Sequence, residues 1–129
     1  MKGYIVNIEK ETLENEFFRK VLFTAPNSQL VVMSLKPGED IGKETHHLDQ
    51  FIRIEAGKAK VILDGEESEV REDFAFIIPA GTEHNVINES ETEDLKLYSI
   101  YSPPEHKDGV IHKTKADAMA DEHDHYEAE

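Results

Sequence analysis

GEDIGKETHHLDQFIRIEAG, residues 38–57, sets two adjacent histidines, several acids and a glutamine ahead of a strand-like run. Side chains two apart in an extended chain share a face, so Glu44 and His46 project together while Thr45 and His47 point the other way. Gln50 lies past a short turn, at the start of the next strand. A second stretch, DFAFIIPAGTEHNVIN at residues 73–88, places His84 at the head of a strand that follows Pro79-Ala80-Gly81. A closed barrel can bring Glu44, His46, Gln50 and His84 to one point. Each offers a lone pair, from one carboxylate, one amide oxygen and two imidazoles. Such a mixed oxygen and nitrogen set suits Fe(II), Mn(II), Co(II), Ni(II) or Zn(II). It does not suit structural zinc, which usually recruits thiolates, and the chain has no cysteine.

Outward from these stretches, short and regularly punctuated strands dominate. Tyr4 to Glu9 reads as a short strand, and Glu11 to Phe17 leaves a helical turn open. Phe18 to Thr24 and Gln29 to Lys36 are strands joined through the turn Pro26-Asn27-Ser28. Lys43 to His47 and Asp49 to Glu55 are the next two. Ala59 to Leu63 and Glu66 to Val70 flank Asp64-Gly65, the strongest hairpin signal in the chain. Phe74 to Ile78, Glu83 to Asn88 and Leu95 to Tyr101 complete the set. This pattern predicts an all-β sandwich or barrel and argues against βαβ units. The one good helix signal is Thr114, which can cap TKADAMADE with Asp117 three residues on. The last stretch, DEHDHYEAE, is acidic, lacks apolar periodicity and is predicted to be disordered.

The 129 residues suffice for one domain with a real core and no disulfide or metal staple. Twenty-eight acids against 14 Lys and Arg give a formal net charge of −14. That charge favours solubility and repels phosphate backbones, which argues against nucleic acid as a partner. The N-terminal stretch carries acids and no long apolar run, so it does not read as a secretory leader. No stretch approaches the roughly 18 apolar residues of a membrane span. With no cysteine, a reducing cytoplasm is the expected location.

The two stretches together resemble the paired motifs of the cupins, small jelly-roll β-barrel proteins. The first cupin motif runs Gly, five residues, His-x-His, three or four residues, Glu, six residues, Gly. Gly38, Glu44, His46, Gln50 and Gly57 fall at those intervals. The second runs Gly, five residues, Pro-x-Gly, two residues, His, three residues, Asn, matched by Asp73, Pro79, Gly81, His84 and Asn88. The resemblance covers roughly residues 28 to 102 and implies a double-stranded β-helix, or jelly-roll barrel. The expected organisation is a barrel over residues 1–113, then a short helix and acidic tail over 114–129. Three positions depart from the motifs. Glu44 stands for the first histidine and Gln50 for the glutamate, so the site looks retuned, since both can still ligate. Asp73 stands for the first glycine of the second motif, unless Glu72-Asp73 aligns with the family's Gly-Asp and one residue is inserted before Pro79.

The resemblance implies a divalent metal held by Glu44, His46, Gln50 and His84, or a polar pocket descended from such a site. A metal there keeps about one net positive charge, since only Glu44 is anionic, and this favours an oxygen-rich anionic ligand. Single-domain cupins of this kind are often labelled mannose-6-phosphate-isomerase-like, so a metal-dependent isomerase of sugar phosphates or keto acids is the first expectation. A non-haem iron dioxygenase is the alternative from the two histidines and a carboxylate, and a non-catalytic module binding a small metabolite is another. A metal-free epimerase of the same fold needs a His–Asp base pair, and none stands out. Tyr98 and Tyr101 fall on opposite faces of the last strand, with Tyr98 the weak candidate for a catalytic proton donor. Phe51 faces away from the site and is read either as a homodimer contact or as packing beneath the N-terminal segment. His123 and His125 are expected in a solvated tail.

Overall fold

The computed structural model describes residues 2–127. Within them the chain forms, in order, α1 (Ile8–Glu14), β1 (Arg19–Thr24), β2 (Gln29–Leu35), β3 (Asp49–Ala56), β4 (Lys58–Leu63) and β5 (Glu66–Arg71). Then follow β6 (Ala75–Ile78), β7 (His84–Asn88), β8 (Leu95–Ser102), β9 (Ile111–His112) and α2 (Lys115–Ala120). One sheet has the order β6-β3-β8-β2-β1-β9 and the other β5-β4-β7, and every strand pairing is antiparallel. The expected all-β jelly-roll barrel with a short C-terminal helix is what the chain forms.

Period-two alternation explains which side chains enter the barrel. In β3, Gln50, Ile52 and Ile54 are buried between the less buried Phe51, Arg53 and Glu55. In β8 the inward row is Leu95, Leu97, Ser99 and Tyr101. These pack with Val31, Met33 and Leu35 of β2, Ile78 of β6, and Ala59 and Val86 of the smaller sheet. Asp64 and Gly65, both at positive φ, turn the β4–β5 hairpin as its Asp-Gly signal predicts.

Two local expectations are corrected. Tyr4 to Glu9 is not a strand. The side chain of Asn7 accepts the Lys10 N–H, and Glu9 and Glu11 sit in the first turn, so capping and charge start helix α1 there. Lys43 to His47 is not a strand but a loop with one bridge to β7. Of the tail expected to be disordered, Asp121, Asp124 and Tyr126 make polar contacts with the barrel while Glu122, His123, His125 and Glu127 are exposed, and residues 128–129 lie outside the described residues. Thr114 does cap α2, accepting the Asp117 N–H. No described helix is long and apolar enough to cross a membrane.

Helix α1 crosses the outer face of the larger sheet. Beneath it Val32 is fully buried, and Lys96 donates to the Asn15 carbonyl. Beyond its cover, one lateral row runs Ile77, Phe51, Ile100, Leu30 and Phe23 across five strands. Tyr4 stacks on Phe23 at 5.1 Å.

Gly57, between β3 and β4, has φ +98 and an added Cβ would lie 2.9 Å from the Asp94 carbonyl oxygen. Gly57→Ala is expected to cost about 2–4 kcal/mol, combining backbone strain with a clash against main chain. Gly38→Ala has a similar φ of +76 but open space around it, so about 1 kcal/mol is expected. Urea unfolding of the two variants checks the ranking, and equal losses would contradict it.

Candidate functional site

Glu44 and His84 exchange two backbone hydrogen bonds, each 2.9 Å, across an antiparallel bridge. Residues paired this way point their side chains to the same face, so the loop preceding β3 delivers Glu44 beside His84. The Gly81 N–H donates to the His46 carbonyl at 2.8 Å, tying the second motif's turn to the first motif. Gln50 pairs with Ile78 on one side and Tyr101 on the other, all facing inward. The four expected ligands therefore come from two loop-and-strand junctions at one end of the barrel.

Each side chain has a definable state. His84 Nδ1 lies 2.9 Å from the Thr82 carbonyl, which accepts only, so Nδ1 carries a proton and Nε2 is the nitrogen that offers a lone pair in the neutral ring. Burial, reinforced by His84 and His106, lowers His46 to about 4, so its ring is neutral at neutral pH. Its Nε2 lies 3.3 Å from Glu44 Oε2 and its Nδ1 lies 3.5 Å from Glu105 Oε2. With a neutral ring these are polar contacts, not ion pairs. Burial raises Glu44, against the pull of Arg19 and His84. Gln50 donates from Nε2 to Ser99 Oγ at 3.2 Å, while its buried Oε1 has no partner.

The remaining candidates separate. Tyr98 lies on the outer face, 6.2 Å ring to ring from Phe51, which corrects the choice of Tyr98 as proton donor. The strand's period puts Tyr101 inside instead, and burial raises its pKa. His47 is exposed, as its place opposite His46 predicts. His123 and His125 are exposed as well.

Four groups escaped the sequence reading. Glu105 and His106 follow the Pro103-Pro104 turn, and Asp124 comes from the segment after α2. Tyr101 donates its O–H to His106 Nε2 at 3.2 Å, and His106 donates from Nδ1 to Asp124 Oδ2 at 2.7 Å. A buried His–Asp pair therefore exists, contrary to expectation. The Nε2 of His106 is spent on Tyr101, so the pair does not offer a free base. Arg19, at the start of β1, completes the group and donates to His112 Nδ1 at 3.2 Å. The local signals were a Glu-His pair beside a double proline and an acid flanked by histidines, and neither specifies a partner. Arg19, Glu44, Glu105, His106, Asp121 and Asp124 all border one cleft of about 320 Å³.

Among the described residues, no three His, Asp or Glu side chains stand ready as a metal-holding group. Glu44, His46 and His84 are thus not gathered as a ready-made triad; what suits a divalent ion is the donor chemistry of these three with the amide of Gln50. Two donors at right angles, about 2.1 Å from one ion, lie about 3 Å apart, close to the 3.3 Å between Glu44 and His46. Gln50 Oε1 is a buried acceptor awaiting an electrophile, and the His84 tautomer leaves Nε2 available.

The fold and this double-motif junction define a cupin, and the chain belongs to the cupin domain family, whose model matches residues 31–101. It is 48% identical over 128 residues to the uncharacterized protein YrkC of Bacillus subtilis, covering 94% of this chain and 68% of YrkC. It is 50% identical over 113 residues to the uncharacterized protein L612 of Acanthamoeba polyphaga mimivirus, covering 84% of this chain and 70% of L612. The crystal structure of BH2720 from Bacillus halodurans superposes with a TM-score of 0.90 at 48% identity, over 93% of this chain and 96% of that one. KdgF from Halomonas sp., at 24% identity and a TM-score of 0.61, shares the fold.

Burial, with Glu44 and Asp124 nearby, pushes Glu105 up to about 7. A carboxyl whose folded pKa exceeds its ordinary 4.5 destabilises the fold above about pH 7, and that penalty vanishes below 4.5. In metal-free protein, Glu105→Gln is therefore expected to stabilise at about pH 8 and to change nothing near pH 4. Solvent screening at its 28% exposed side chain limits the gain to about 1–2 kcal/mol. Urea unfolding at both pH values checks this, and a loss at the higher pH would contradict it.

Proposed function

We propose that this cupin binds a divalent transition metal through Glu44, His46, Gln50 and His84 and isomerises a small oxygen-rich metabolite of sugar-phosphate or keto-acid type. The observation that carries the reading is Gln50 Oε1, buried without a hydrogen-bond donor at a motif position inside the barrel. Burying an amide oxygen unpaired costs about 1–3 kcal/mol, which a Lewis acid at that point offsets. Held by Glu44, His46, Gln50 and His84, a divalent ion would supply Lewis-acid polarisation of a ligand's carbonyl oxygen.

The chain's own groups supply the rest. Isomerisation between adjacent carbons needs a group that takes a proton and returns it near neutral pH. Glu105 borders the cleft beside His46 and is half-ionised at about pH 7, which matches that task. Neutral His46 adds no positive charge to the site. The surrounding apolar core, with Leu48 and Ile78 at 7% and 2% exposure, limits water.

The reading includes a homodimer formed through the outer row Ile77, Phe51, Ile100, Leu30 and Phe23. Ile77 is 62% exposed and Ile100 36%, and that row carries no charged side chain. A chain of net charge −14 repels its own copy least where carboxylates are absent, and a twofold contact needs one self-complementary patch. Light scattering at micromolar concentration is expected to give twice the chain mass, and Ile100→Asp to give monomer. A wild-type monomer would remove this part of the reading.

Elemental analysis of protein purified without a histidine tag tests the metal site. His46→Ala and His84→Ala are expected to lower bound metal by more than about tenfold. Glu44→Gln should weaken it through loss of the only charge, Gln50→Ala less so, and His47→Ala should match wild type. Metal retained in His84→Ala, or lost in His47→Ala, overturns the assignment. Stoichiometric iron would favour the dioxygenase alternative, and a metal-free wild type would favour a binding module.

A further inference from the structure

Three donors converge on one carboxylate at the inner edge of the cleft. His106 donates from Nδ1 to Oδ2 of Asp124 at 2.7 Å, and the Lys107 N–H donates to Oδ1 at 2.9 Å. Arg19 Nη1 stands 3.9 Å from the same Oδ2. The two oxygens of a planar carboxylate are thus each given a donor, with a guanidinium behind them.

The arrangement is poorly explained as a structural ion pair. Arg19 is 7% exposed, its distance to Asp124 exceeds hydrogen-bond range, and its Nε has no acceptor. A buried guanidinium left with so few acceptors is costly. The carboxylate comes from the segment after α2, which buries little. Helix α2 has no buried residue, and Glu122, His123 and His125 are exposed. The segment is tethered by polar contacts such as the Tyr126 N–H to the Glu105 carbonyl at 3.0 Å and His112 Nε2 to Asp121 at 3.0 Å. Segments with few apolar contacts open at little free-energy cost.

We propose that Arg19, the His106 ring and the Lys107 N–H form an oxyanion subsite of the cleft, which the chain fills with its own Asp124 and a carboxylate-bearing ligand takes over. The two-oxygen geometry selects a carboxylate over a tetrahedral phosphate. The subsite rests on the reading of the cleft as a ligand site, but it does not need the metal.

Malonate is the probe, titrated by calorimetry into the full chain, with and without prior chelation of metal. Removing the internal competitor's charge frees the site, so Asp124→Asn is expected to bind malonate at least about tenfold tighter than wild type. Adding Arg19→Gln should abolish that gain. In wild-type protein, amide NMR should show malonate shifting the Lys107 signal and accelerating exchange of the Tyr126 amide, which keeps the test open if the variant fails to fold. A gain that is absent or survives Arg19→Gln, or an unmoved Lys107 amide, overturns the proposal. Inorganic phosphate binding tighter than malonate overturns the carboxylate assignment. Should the malonate results hold while wild-type protein carries no metal, the metal reading alone falls. Should metal follow His46 and His84 while malonate fails, the subsite alone falls.

Discussion

The two 2.9 Å backbone hydrogen bonds between Glu44 and His84 are the constraint on which the site depends. They join the loop between β2 and β3, which otherwise has little regular structure, to a strand of the smaller sheet. A loop closed by a matched pair of main-chain bonds presents its side chains with strand-like alternation although it is not a strand. For that reason Glu44 and His46 face the interior while Thr45 and His47 are exposed. The Asp40–Ile87 bridge on one side and the Gly81 N–H to the His46 carbonyl on the other hold the rest of this loop against the same end of the barrel.

Electrostatics shapes the interior in a second way. The chain is strongly acidic, yet burial works against charge at the site. His46 is neutral because protonating it inside the barrel beside other cationic groups is unfavourable, and Glu105 holds its proton to about 7 for the converse reason. The cleft therefore sets a neutral His46 and the raised Glu105 beside the buried Arg19 guanidinium and the Asp124 carboxylate. A net charge of −14 describes the surface and says little about the pocket.

The departures from the cupin motifs also acquire physical meaning. Asp73 has φ +71, so it occupies the left-handed turn position where the motif has glycine. Aspartate tolerates that conformation better than most residues, and the Arg53 guanidinium donates to it at 3.0 Å. Gln50 sits between Ile78 and Tyr101 on the inner face, with an amide in place of the motif's charged carboxylate.

Most strand positions, the Asp-Gly hairpin and the cap of α2 were legible in the sequence. Each follows from local rules: alternation, turn conformation and side-chain capping act over a few residues. The inward choice between Tyr98 and Tyr101 was not legible, because alternation fixes opposite faces without saying which one is inside. Pairing with Gln29 and Gln50 decides it. Helix α1 was missed because a single Asn7 cap outweighed an alternating pattern. Arg19, Glu105, His106 and Asp124 lie far apart in the chain, and polar residues in acidic or proline-flanked stretches carry no periodic signal. Only the return of residues 121–127 across the mouth of the barrel brings Asp124 to His106 and Arg19, since a buried charge finds its partner through space and not through sequence.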